Sequence, residues 1–172
     1  MEAKEKNDNQ RIAQLRELMQ DALLGTRAHL SPEQMLEGLD HKAAGQQIPN
    51  SPHTIWQLIK HLNYWQDRFI ARLEGLTTLP AKTSDDGWQF GAAPSDEMAW
   101  QQEVEKFLGS ITYVKNVCLR EAKCLDPKMG DYRSGFSIVQ SMASHISYHM
   151  AEVVLLRRML GAWPPPSGGY TW

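Results

Sequence analysis

His145 and His149 stand four residues apart in the stretch 141–160, SMASHISYHMAEVVLLRRML. Ile138, Met142, His145, His149, Val153, Leu156 and Leu160 recur at three- and four-residue steps, which places them on one side of an α-helix. Imidazoles at i and i+4 on one helical face are close enough to share a metal ion. A third imidazole, His61, shares a face with Leu58, Leu62, Trp65 and Phe69 on another helical stretch. Three histidine ligands with an open position are the pattern of a catalytic site, because structural zinc sites close with four protein ligands. Imidazole suits zinc, nickel, copper or iron, and the trio alone does not choose among them. A lone inward histidine is more often a hydrogen-bonded core residue. For an inward pair joined by a third, metal binding is the better reading.

Neighbours of the trio carry weaker signals. Glu152, three residues beyond His149, can orient a ligand imidazole or accept a proton. The plainer reading, and the preferred one, makes it a rim residue paired with Arg157 or Arg158. Tyr148 either hydrogen-bonds near the site or packs between helices. Cys118 is either a thiol near the site or, the preferred reading, a small core residue. His29, His41 and His53 fall in turns or at helix starts, where surface roles are expected. Cys118 and Cys124 lie six residues apart with nothing that pairs them, and two cysteines are too few for a disulfide framework.

Four long helical patterns position these residues. The first runs from about Asp8 to Ala28, with Ile12, Leu15, Leu18, Met19, Ala22 and Leu23 as its apolar face and residues 1–7 as a frayed tail. Ser31-Pro32-Glu33-Gln34 starts a short helix through Leu39, with Gln34 closing a capping box. Gly45 to Asn50 is expected to be a loop. Asn50-Ser51-Pro52 reads as the cap of the second long helix, which carries Ile55 to Ile70 and ends near Gly75. Leu76 to Pro94 is a long irregular connection, and Trp88 and Phe90 are poor residues to leave in water, so it should fold back over the bundle. Ser95 is expected to cap the third long helix, which runs to about Ala122. Asp126-Pro127 and Gly130 mark a turn, and Ser134 caps the fourth helix, to about Leu160. Gly161 and Pro164-Pro165-Pro166 end it. In the tail 164–172, Tyr170 and Trp172 are expected to dock on the domain or a partner.

The fold class is therefore all-α: an antiparallel four-helix bundle with a short extra helix after the first, in one domain over residues 1–172. Formal charge is −2 with no basic block, so no attraction for nucleic acid or anionic membrane is expected. The charged start MEAKEKNDNQ lacks the apolar core of a signal peptide, and no apolar run is long enough for a bilayer. A reducing cytoplasmic setting is the expectation.

The sequence Ser51-Pro52-His53-Thr54-Ile55-Trp56-Gln57-Leu58-Ile59-Lys60-His61-Leu62, joined by His145-Ile146-Ser147-Tyr148-His149 and by Leu155-Leu156-Arg157-Arg158-Met159-Leu160-Gly161-Ala162-Trp163-Pro164-Pro165-Pro166, resembles the DinB-like superfamily of small bacterial four-helix metalloproteins, which includes the bacillithiol transferases. The resemblance covers nearly the whole chain. It implies a divalent metal, zinc or nickel, held by His61, His145 and His149, and a homodimer. The family commonly has Gly-Gln-Ile or Gly-Gln-Val where this chain has Ala151-Glu152-Val153, which puts an acid near the metal. The family name derives from a DNA-damage-inducible gene and implies neither polymerase nor DNA-binding activity.

Three functions follow. A metal-dependent enzyme would activate a small thiol toward an electrophile, or a water toward hydrolysis, and the resemblance favours the thiol. A non-catalytic metal-binding or stress-response bundle would act through its dimer surface or tail. A plain structural bundle would hold no metal.

Overall fold

In the computed structural model, residues 2–76, 83–120, 124 and 134–169 are described, with the side chains of residues 2–5 and Ser84 left aside. The described residues form six α-helices: α1 (Glu2–Leu24), α2 (Pro32–Leu36), α3 (His41–Gly45), α4 (Ile55–Leu73), α5 (Glu97–Arg120) and α6 (Gly135–Met159). A short 3-10 turn spans Ser84–Gly87. No strand occurs among the described residues.

The four long helices make the bundle. α4 packs on α5 and α6, and α1 closes the other side against the same two helices. Lys60 bonds Glu103, Asp67 bonds Lys106 and Glu74 bonds Tyr113, so α4 and α5 advance in the same direction. His61 meets both His145 and His149, whereas Trp65 and Phe69, further along α4, meet His145. α6 therefore runs against α4. Leu15 shares a cavity wall with Phe136, and His29 reaches Ser147, so α1 runs with α6. Two helices point each way, which makes the bundle antiparallel in sum, with parallel neighbours in α4/α5 and α1/α6.

The core lies between α4, α5 and α6. Leu58, Ile59 and Leu62 of α4, Phe107, Ile111 and Val114 of α5, and Met142, Ile146, Met150 and Val153 of α6 belong to one buried cluster, all nearly inaccessible to solvent. α1 sits more shallowly than its periodicity predicts. Met19 and Leu23 are buried, but Ile12, Leu15 and Leu18 are 40%, 44% and 51% exposed.

The helix ends explain where local reading went astray. α1 begins at Glu2, inside the stretch expected to fray, because residues 2–8 contain no helix breaker. It stops at Leu24, before Gly25 with φ 70°, rather than at Ala28. α2 has the expected capping box of Ser31 and Gln34. α3 was not foreseen: Asp40 accepts the Ala43 N–H at 2.8 Å and caps a helix too short to show a period. The start of α4 is set by Thr54, not by Asn50-Ser51-Pro52. Thr54 Oγ1 accepts from Gln57 N at 3.2 Å, and Gln57 Oε1 accepts from Thr54 N at 3.0 Å. α5 is capped by Asp96, whose carboxylate accepts the Ala99 N–H at 2.8 Å, and Ser95 instead donates its hydroxyl to that carboxylate. Ser134 caps α6 as expected. The segments around Pro80, Ala122, Pro127 and Gly130, and the residues Tyr170 and Trp172, lie outside the described residues.

α2 and α3 cover the end of the bundle where α6 finishes and α4 and α5 begin. Arg157 locks that end: the residue is only 2% exposed. Its guanidinium donates to the carbonyls of Met35 at 2.6 Å, Glu37 at 2.9 Å and Ala162 at 3.0 Å. The C-terminal tail then lies along α2, where Ser167 donates its N–H to the Glu37 carboxylate at 3.1 Å.

Candidate metal centre

α4 supplies His61 and α6 supplies His145 and His149. One ring nitrogen of each lies within 4.8 Å of the others. Nε2 of His61 and Nε2 of His145 are 3.2 Å apart. Two nitrogens bound to one tetrahedral zinc at the usual bond length are about 3.3 Å apart. The separation fits a shared ion. His61 and His149 are buried, at 5% and 7% exposure, and His145 is half-buried.

The outer nitrogens are anchored. His61 Nδ1 lies 3.0 Å from the Gly87 carbonyl. A carbonyl only accepts, so Nδ1 carries the proton and the Nε2 lone pair faces the cluster. His149 Nδ1 lies 2.6 Å from Glu152 Oε2, and by the same logic donates to that carboxylate, leaving Nε2 for the centre. Of the pairing expected with Arg157 or Arg158, the one with Arg157 is not made, because Arg157 is engaged with backbone carbonyls at the bundle end; the half-exposed Glu152 carboxylate meets His149.

Electrostatics keep His61 and His145 neutral. Burial pushes His61 down to about 4, against the Gly87 bond that favours its protonated form, with His149 and His53 lowering it further. Burial, then the neighbouring His149 and His61, push His145 down to about 3. Neutral imidazoles offer lone pairs, which is the state a metal ligand needs.

Gly87 permits this arrangement. A Cβ there would come within 3.0 Å of both His61 Nδ1 and Trp65 Nε1. Directly after it, Trp88 stacks on His61 with centroids 3.7 Å apart and planes 10° apart. His53 stacks on the same indole at 3.7 Å and 5°. Two rings at that distance cannot share one face, so Trp88 lies between the imidazoles of His53 and His61. Trp65 and Phe69 stand edge-on to His145, and Tyr148, 66% exposed, stands edge-on to His149. The loop is pinned by Thr54, whose hydroxyl donates to the Ala92 carbonyl at 2.6 Å, and by Gln57, whose amide donates to the Phe90 carbonyl at 3.2 Å.

The sequence reading missed Gly87, and it assigned His53 to the surface. His53 is half-buried beside the site, its pKa lowered by burial and shifted by Glu152 and His149. The Trp88 signal was visible only as an apolar ring in a long loop. His41 bonds Glu97 at 2.9 Å, away from the cluster. His29 lies 3.0 Å from the Ser147 hydroxyl and ties the end of α1 to α6. Cys118 and Cys124 form no disulfide, but their thiols meet at 2.8 Å between sulfurs in a buried pocket.

These features define an all-helical bundle with three convergent histidines able to hold a metal ion. The DinB superfamily model matches residues 9–153, and the chain belongs to that superfamily. No curated protein matches the chain significantly. No solved structure does either. Among the described residues no helix is long and apolar enough to cross a membrane.

Proposed function

We propose that the protein is a metal-dependent enzyme of the cytoplasm that joins a small thiol to an electrophile, with zinc or nickel held by His61, His145 and His149. The observation that carries this reading is the 3.2 Å approach of the His61 and His145 Nε2 atoms in a cluster whose outer N–H groups are already bonded. A divalent ion at three neutral ligands supplies undiminished positive charge, which favours the deprotonated form of a thiol or water brought to it.

The chain's own residues do the rest. Gly87 and Glu152 fix the His61 and His149 rings. Trp65, Phe69 and Trp88 exclude water from the inner side of the cluster. His145 is half-buried, which leaves an approach from solvent. Glu152, its side chain 40% exposed, bonds the outer nitrogen of His149 at the edge of the cluster and holds that ring toward the centre. A water in place of the thiol would give hydrolysis instead.

Protein purified without a histidine tag and without added metal should contain about one zinc or nickel per chain by elemental analysis. His145→Ala with His149→Ala should remove it. Metal-loaded protein that turns over no thiol–electrophile pair would leave a non-catalytic metal bundle as the function. That second reading draws support from the apolar face of Ile12, Leu15, Leu18 and Phe136, each 40% exposed or more, which suits a homodimer.

A further inference from the structure

Cys118 ends the buried face of α5, and Cys124 lies beyond it. Both residues are 0% exposed. Their sulfurs are 2.8 Å apart, with Cys118 donating to Cys124. The metal reading makes no use of them. Two thiols held in contact need almost no further ordering to join, which is the main entropic obstacle to a disulfide. A pair of small apolar residues would fill the same pocket without the oxidisable contact.

We propose that Cys118 and Cys124 are a redox modification site that closes to an intramolecular disulfide when hydrogen peroxide reaches the pocket. One cysteine sulfur takes the terminal oxygen of the peroxide: an S–O bond forms, the O–O bond breaks, and the leaving hydroxide takes up the thiol proton as water. The second sulfur then attacks the resulting sulfenic acid. The S–S bond forms, the S–O bond breaks, and a second water leaves with the second thiol's proton. With hydrogen peroxide, two electrons pass from the two thiols to the oxidant, and a dithiol reductant returns them by exchange.

The pocket sets the rate. The hydrogen bond to Cys124 and burial both push the Cys118 thiol up, while Arg16 pulls it down. Arg16 is held there by its own bond to the Leu119 carbonyl at 2.9 Å. Thiolate is therefore scarce, and the pair oxidises slowly and without the over-oxidation that exposed low-pKa cysteines suffer.

The test uses the full chain, incubated with hydrogen peroxide, then unfolded and alkylated. Trypsin places Cys118 in the peptide Asn116–Arg120 and Cys124 in Cys124–Lys128. The expected result is loss of both alkyl additions and appearance of these two peptides as one linked species, which dithiothreitol separates. In Cys118→Ser the linked species is absent and Cys124 is alkylated. Two alkylated cysteines in wild-type protein whose exposed methionines have oxidised would overturn the proposal. So would disulfides only between chains, or sulfonic acid without the linked peptides. The wild-type readout stands even if the serine variant folds poorly, and it does not depend on metal content.

Discussion

Glu152 accepts a hydrogen bond from His149 Nδ1 at 2.6 Å, one helical turn along α6. This acid thus touches a histidine of the cluster from behind.

Removing that contact should weaken metal binding without emptying the site. Glu152→Ala frees the His149 ring to rotate and to change tautomer, so affinity should fall about 10- to 100-fold. Glu152→Gln keeps an acceptor and should fall less. Competition with a coloured chelator measures both, and equal affinity in all three proteins would exclude an orienting role.

Gly87→Ala should disturb the site from the other side. The added methyl lies 3.0 Å from His61 Nδ1 and Trp65 Nε1, so the loop or the rings must move. A stability loss of about 1 kcal/mol is expected, together with weaker metal binding. Thermal melts and the same chelator competition would show it.

The apoprotein should lose stability in acid because of His61 and His145. Their folded pKa values, about 4 and about 3, lie below the ordinary histidine value of 6.5. Below pH 6.5 the unfolded chain takes up protons that the folded chain refuses. The full contribution is therefore present above about pH 6.5 and is lost as pH falls toward 4 and then 3. Metal-free wild type should show a steeper fall in melting temperature across that window than a variant with both histidines changed to asparagine. Parallel curves would mean that the cluster is not held neutral.

Arg157→Leu should be among the most damaging single changes away from the cluster. It leaves the carbonyls of Met35, Glu37 and Ala162 without their donor in a buried site. A loss of roughly 2–4 kcal/mol is expected in denaturant titrations. Arg157→Lys should recover part of it, since one ammonium cannot span all three oxygens.

Leu15→Asp with Leu18→Asp should convert a dimer into a monomer in sedimentation velocity while leaving metal content unchanged. Both side chains are largely exposed beside Phe136, so the monomer has little to lose by the change.

Much of this site was legible because helical periodicity is a local signal. His61 and the 145/149 pair each declare their inward face within one helix, and two inward faces of one bundle must meet. Ser134 and the Ser31–Gln34 box were readable for the same reason. Contacts from loops were not. Nothing in residues 84–90 indicates that the Gly87 carbonyl ends beside His61, 26 positions earlier, because that pairing exists only after the bundle is assembled. Pro52 drew the start of α4 too early: proline favours a first helical turn, but Thr54 and Gln57 provide the reciprocal bonds. The depth at which α1 sits was equally hidden. An apolar stripe gives a direction, not a distance, and Leu15 and Leu18 turn out to lie at its outer edge.

Because α4 and α5 lie side by side and point the same way, no tight hairpin can join them. The chain must return roughly 28 Å, the length of the 19-residue α4, before α5 can begin. That return path is what carries Gly87 and Trp88 across His61. A bundle wound as consecutive hairpins would spare itself the detour. The direction of two helices thus sends the backbone back across His61, where Thr54 and Gln57 hold it.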